Sequence, residues 1–238
     1  MNHRVFSCAR CGKIPPLGAV RKLRRFMLGG LTKMDIDGIC IGSVDEPLCQ
    51  VGIKKATEAA VSFAAICEKS GDKIDLVVTS PMKRAVATGI IFAKHLKAIT
   101  AIENLLAERT LGEAEGKPKN PDGNVPLLRY WGAPKGAGSQ KKFEEATLSF
   151  IDELWLSSSR FGSHADILFV THALRMLTII KIIKGWHINK MPKFVPPKSC
   201  EIKTFGIGQP CEQCNSYFYE PIELKRAQSK RRPPAKNL

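Results

Sequence analysis

No apolar run in the chain approaches the roughly 18–20 residues that a bilayer-spanning helix needs, and no signal-peptide apolar core stands near residue 1. The expectation is a soluble, cytoplasmic protein with no membrane partner. RNA-recognition, zinc-finger and helix-turn-helix patterns are missing, and no internal repeat is visible. Acidic side chains are in short supply. There are 22 Asp and Glu against 37 Lys and Arg, a formal net charge of +15. A surplus of that size favours anionic partners: phosphorylated metabolites, nucleic acid or an acidic surface. Part of it is local, because Lys225-Arg226 and Lys230-Arg231-Arg232 crowd a Pro-containing stretch. Such stretches are usually solvated, so nucleic acid is the lesser reading.

Apolar residues make up 44% of the 238, enough for a substantial core and too many for wholesale disorder. Eight cysteines without a secretory signal argue against a disulfide framework. Four of them form two Cys-x-x-Cys pairs, Cys8/Cys11 and Cys211/Cys214. Each pair can offer two thiolates to a tetrahedral zinc, and the two meet if the chain ends lie together. The long separation and the missing zinc-ribbon context make four unrelated thiols the preferred reading.

Residues 1–19 show no convincing period and are expected to be an extension. A first strand is expected over Val20–Leu28, broken by Gly29-Gly30, followed by a loop to Pro47. A helix follows Gly52, with Ala56, Ala59, Ala60, Phe63, Ile66 and Cys67 on one face, and stops at Ser70-Gly71. Ile74–Thr79 is the second strand. Ser80-Pro81 is a helix-start signature, a Ser cap with Pro in the first turn, and predicts Ala85, Val86, Ile90, Ala93 and Leu96 inward. A short strand is expected near Thr100–Ile102. The Gly- and Pro-rich stretch from Gly112 to Gly138, with Tyr130-Trp131, reads as a lid that shapes specificity. An amphipathic helix over Lys141–Leu156 precedes the apolar run Ile167–Val170, a buried strand. Thr171-His172 ends that strand, and a helical pattern through Leu174, Leu177, Ile180 and Ile183 begins at once. A final strand is expected near Cys200–Phe205. The result is a core domain over 20–207 and a basic, flexible tail over 208–238. Strands alternating with helices predict an α/β three-layer sandwich around a mostly parallel sheet.

Two strand-to-helix corners share a design. Ser80-Pro-Met-Lys-Arg84 and Thr171-His-Ala-Leu-Arg175 each place an Arg in the first helical turn after a buried strand. Two helix N-termini, two guanidinium groups and an imidazole at one sheet edge describe a phosphate cradle.

With Gly38 to Gly52, which carries Gly42, Asp45, Pro47 and Leu48, these segments resemble the histidine phosphatase superfamily, the phosphoglycerate-mutase-like enzymes. The likeness is to the alpha-ribazole phosphatase type. Ser80 to Thr88 resembles the family's Ser-Pro-Leu-x-Arg-Ala-x-Gln-Thr motif, Glu108 to Gly116 its glutamate motif, and Val170 to Arg175 its second histidine motif. Order and spacing agree over roughly residues 22–205. The resemblance implies that Arg84 grips the phosphoryl group together with Arg175 and Thr32, that Glu108 is the general acid, and that His172 donates to a non-bridging oxygen. It implies a phosphorylated small molecule or phosphoprotein as ligand and no cofactor.

The family's first motif, Arg-His-Gly-Glu-Thr with an Asn three residues on, falls on Leu28-Gly29-Gly30-Leu31-Thr32 and Asp35. Gly30 and Thr32 agree. Leu28 stands at the phosphate-binding Arg and Gly29 at the nucleophilic His. Glycine cannot carry a phosphoryl group, so the covalent two-step route is lost. The missing guanidinium removes charge-assisted hydrogen bonds of about 1.5–3 kcal/mol each. Arg24 and Arg25, three or four residues upstream, are poor stand-ins. Ala146 stands loosely at another family Arg, and Ala173 replaces a Gly. His3, His95, His164 and His187 read as surface residues. The expectation is a phosphate-binding relative with impaired catalysis. The alternatives are an active phosphatase by another route, or a non-catalytic relative whose basic tail attracts nucleic acid.

Overall fold

Apolar runs too short for helices become the middle of one sheet. A computed structural model describes residues 7–8, 22–119, 134–155, 166–184, 197–210 and 217–222. Its strands are β1 (Ser7–Cys8), β2 (Lys22–Leu28), β3 (Leu76–Thr79), β4 (Ile99–Ile102), β5 (Ile167–Thr171), β6 (Ile202–Pro210) and β7 (Tyr217–Ile222). Its helices are α1 (Lys33–Ile36), α2 (Gln50–Ser70), α3 (Lys83–Leu96), α4 (Gln140–Trp155) and α5 (Ala173–Ile183).

The seven strands run in the order β1-β7-β6-β2-β5-β3-β4. β5 pairs in parallel with β2 on one side and β3 on the other, and β3 with β4. β6 runs antiparallel to β2, β7 to β6, and β1 to β7. Every residue of β5 is buried, which explains its unbroken apolar run.

Alternation along the strands sends neighbours to opposite faces. Phe26, Val78 and Phe169 join Phe150 of α4 and Met176 and Ile180 of α5. Met27, Val77 and Leu168 join Ala60 and Phe63 of α2 and Phe92 of α3. Helices therefore cover both faces, the three-layer α/β arrangement expected. Phe26 stacks on Phe169 at 5.0 Å between centroids, and Phe150 meets the same ring edge-on at 5.4 Å. No helix among the described residues is long and apolar enough to cross a membrane.

Several local expectations need correction. Ser80 does not cap α3, which starts at Lys83 behind Met82 with no side-chain cap. Ala85 and Ala93 are buried as expected, but Ile90 is exposed, and Thr88, Gly89 and Phe92 complete the inward face. α2 begins before Gly52, and the Cys49 thiol accepts from the Gly52 N–H at 3.3 Å. A Cβ at Gly52 would lie 2.0 Å from the Leu31 carbonyl oxygen, so only glycine lets α2 pack against the loop after β2. β6 continues past Gly208, and β7 adds a strand inside the stretch expected to be a tail; β1 lies inside the expected extension. Partner strands supply the backbone hydrogen bonds that make these short, Pro-containing segments extended.

The two arginines of β2 are buried and paired. Arg25 bonds Asp72 at 2.7 Å and Asp166 at 2.8 Å, while Arg24 donates to the Leu154 carbonyl at 3.2 Å. Burial pulls Arg24 down to about 10, against the opposing pull of Asp166. Both are fixed in the sheet away from its ligand-facing end.

Candidate functional site

The crevice lies beyond the carboxyl ends of the parallel strands, where open α/β sheets bind ligands. β2 ends at Leu28 beside Thr171, the last residue of β5, and the Gly29 N–H donates to the Thr171 carbonyl at 2.9 Å. His172 follows as the N-cap residue of α5, and Arg84 sits in the first turn of α3. Both expected corners therefore exist.

They enclose a cavity of about 310 Å³ whose wall includes Leu28, Gly29, Arg84, Glu108, Lys119 and His172. Arg84 is buried, and its guanidinium donates to the Val44 carbonyl at 2.7 Å and the Gly42 carbonyl at 2.9 Å. The loop before α2 thus aims the guanidinium at the cavity. Burial lowers its pKa from the ordinary guanidinium value, while Glu108, Asp35, Asp45 and Glu46 pull it back up.

Glu108 reaches the cavity from the segment after β4. One carboxyl oxygen accepts from the Arg109 N–H at 2.9 Å, the other from the Leu174 N–H at 3.0 Å in the first turn of α5. Burial raises its pKa above the ordinary 4.5, opposed by those two backbone N–H groups, Arg175 and Arg84. The carboxyl group caps α5 and is biased toward holding a proton.

His172 is buried, with Nε2 2.7 Å from the Ser80 hydroxyl, which also accepts from the Met82 N–H at 3.3 Å. Burial first, then Arg84 and Arg175, drive its pKa well below 6.5. The imidazole is neutral and has one nitrogen engaged by Ser80.

Two predicted phosphate ligands lie elsewhere. Thr32 is fully buried and caps α1, its hydroxyl accepting from the Asp35 N–H at 3.2 Å; it does not line the cavity. Arg175 turns toward α4. Its guanidinium donates to the Ala107 carbonyl at 2.9 and 3.1 Å, the Phe143 carbonyl at 3.1 Å and the Thr147 hydroxyl at 2.5 Å. It lies 3.6 Å over the Phe143 ring, and burial pulls its pKa to about 10. Those bonds hold the guanidinium away from the cavity wall, so it acts as a strut between α5, α4 and the Glu108 segment.

Three cavity residues escaped the sequence reading. Asp35, at the place of the family's Asn, and Lys119, from the expected lid, form an ion pair at 2.7 Å inside the cavity wall. The end of the motif alignment pointed to Asp35; nothing local pointed to Lys119. Ser199 also lines the cavity, and its hydroxyl donates to the Gly29 carbonyl at 3.0 Å. Residues 120–133, which contain Tyr130 and Trp131, lie outside the described residues.

Gly29 is not demanded by its backbone. A Cβ built there meets nothing closer than the Ala85 Cα at 3.6 Å, an ordinary contact. The backbone at Gly29 thus has room for a Cβ.

The model of the histidine phosphatase superfamily (branch 1) matches residues 29–217. The chain belongs to the histidine phosphatase superfamily. Solved structures share its fold at low identity. A mycobacterial glucosyl-3-phosphoglycerate phosphatase complexed with VO3 superposes with TM-score 0.67 at 16% identity, covering 84% of this chain and 97% of that one. The alpha-ribazole phosphatase from Shigella flexneri gives 0.64 at 19%, covering 84% and 95%. Phosphoserine phosphatase from Entamoeba histolytica, in complex with 3-phosphoglyceric acid, gives 0.62 at 18%, covering 83% and 94%. No curated protein sequence matches the chain.

Proposed function

We propose that this family member binds a phosphate-bearing ligand, a small molecule or a phosphoprotein, in the cavity and that histidine-based phosphoryl transfer is impaired. One observation carries the reading: Arg84, Glu108 and His172 converge on one cavity whose wall is Gly29 where the family has its nucleophile. Arg84 supplies the planar fork for two phosphate oxygens. His172, neutral and oriented by Ser80, hydrogen-bonds a third oxygen. Glu108, whose pKa burial raises, is the group placed to give a proton to a leaving oxygen. Attack on phosphorus by a side chain at position 29 is impossible, so the covalent intermediate does not form.

The competing reading is hydrolysis by direct attack of water. It draws on Glu108, which lines the cavity and whose pKa burial raises. A phosphomonoesterase assay on the parent chain and on Leu28→Arg/Gly29→His separates the two. The expected result is no turnover in the parent, phosphate binding lost in Arg84→Met, and turnover gained by the double variant. Parent turnover that His172→Ala abolishes would establish the water route instead.

The free thiols Cys40, Cys49, Cys67 and Cys200 support a reducing, cytoplasmic setting. The basic stretch 225–232 lies outside the described residues, and a nucleic-acid role for it stays the lesser reading.

A further inference from the structure

Away from the cavity, no group of three or more His, Cys, Asp or Glu among the described residues can hold a metal. Cys11, Cys211 and Cys214, of the two Cys-x-x-Cys pairs, lie outside the described residues. The cavity itself has a second chemistry, set by which of its polar groups are already engaged.

Many donors of the wall are spent within the protein. The Gly29 N–H donates to the Thr171 carbonyl at 2.9 Å and the Gly30 N–H to the Thr88 hydroxyl at 2.8 Å. The Thr171 hydroxyl donates to the Leu106 carbonyl at 2.9 Å, and the Ser199 hydroxyl to the Gly29 carbonyl at 3.0 Å. At the start of α5 the Leu174 N–H is bonded to Glu108, and at the start of α3 the Lys83 N–H is bonded to Asp45 at 2.6 Å. The Lys119 ammonium is paired with Asp35. Arg84 retains N–H groups beyond those bonded to Val44, Gly42 and the Met82 sulfur, and His172 has a second ring nitrogen beyond the one bonded to Ser80. Anchoring of a phosphoryl group concentrates on those two side chains.

Between the polar groups the wall is apolar, with Leu28, Leu31, Ile41, Leu111 and Leu174 along it. Leu111 and Leu174 pack together with Phe143, and the Leu174 N–H binds Glu108. This apolar patch therefore adjoins the carboxyl group placed to serve an ester oxygen. A ligand with its phosphoryl group on Arg84 and His172 and its ester oxygen toward Glu108 lays its carbon body on Leu111 and Leu174.

We propose that the cavity selects small aryl phosphates over sugar phosphates and phosphorylated acids, an inference that rests on the phosphate-binding reading above. About 310 Å³ has room for a small ring beyond the phosphoryl group. A sugar body would set its hydroxyls against leucine and isoleucine side chains, giving up water's hydrogen bonds without replacement. A carboxylate on the body would meet Asp35 and Glu108 beside a Lys119 already paired. An aromatic ring carries neither cost and buries apolar surface on both sides.

The test is calorimetric titration of the full chain with inorganic phosphate, phenyl phosphate, glucose 6-phosphate, 3-phosphoglycerate and phenol. Phenyl phosphate should bind roughly tenfold tighter than inorganic phosphate, through the apolar area it buries. Glucose 6-phosphate and 3-phosphoglycerate should bind no tighter than inorganic phosphate, and phenol should show no binding. Leu111→Asn should narrow the gap between phenyl phosphate and inorganic phosphate; the series on the unaltered chain decides if that variant does not fold. Inorganic phosphate or glucose 6-phosphate bound as tightly as phenyl phosphate overturns the selectivity and leaves the phosphate reading standing. Binding of neither inorganic phosphate nor any ester removes both, as does phenol bound as tightly as phenyl phosphate.

Discussion

Asp35 and Lys119 set the charge of the cavity as much as the missing residues do. Where the family alignment has Arg, His and Asn, this chain has Leu28, Gly29 and Asp35, and Lys119 partly offsets the added carboxylate. An incoming anion meets Arg84 and an ammonium already committed to Asp35. Asp35→Asn removes the competitor, so inorganic phosphate should bind roughly tenfold tighter, a gain of about 1.4 kcal/mol. Lys119→Met should weaken the same binding by a similar factor, because it leaves Asp35 uncompensated beside the ligand. Calorimetric titration checks both. An unchanged affinity in Asp35→Asn would place the ion pair outside the ligand's reach.

At the scale of elements, Arg175 separates position from direction. Its place in the first turn of α5 was legible, and so was the turn that carries Arg84. Which way each guanidinium points is decided by packing: Phe143 and Thr147 of α4 draw Arg175 aside, and no local pattern announces that. The same limit applies to Ser80, whose capping signature is overridden by a partner 92 residues away in sequence, His172. Strands β3 and β5 were legible because burial on both faces leaves continuous apolar runs, whereas β7 hides its pattern behind Glu220 and Pro221. Arg175→Met should therefore lower unfolding stability by about 1.5–3 kcal/mol, through carbonyls left without a charged donor. Phosphate affinity should hold steady in the still-folded variant. Urea titration and calorimetry measure the two quantities, and a lost affinity with intact stability would return Arg175 to the ligand.

Across the whole molecule, the sheet keeps its parallel half for the crevice and its antiparallel half for closure. Motif order and spacing make the first half readable from the amino acids alone, down to the two strand-to-helix corners that carry Arg84 and His172. The second half depends on pairings between segments far apart in the chain, β1 with β7 and β7 with β6, and those have no short-range signature.

The open wall at Gly29 also makes the protein a host for a borrowed side chain. A free imidazole is the side-chain group of a histidine, and a Cβ built at Gly29 meets no atom closer than 3.6 Å. Added to the solution, it can attack phosphorus in the bound ligand, form a P–N bond as the P–O bond breaks, and leave as phosphoimidazole while Glu108 protonates the departing oxygen. Turnover of p-nitrophenyl phosphate should then rise with imidazole concentration, more steeply in Leu28→Arg, and disappear in Gly29→Leu, where the wall is filled. A rate indifferent to imidazole in both parent and Leu28→Arg would show that the gap is too far from phosphorus to matter. Activity of this kind would answer to the concentration of an added small molecule.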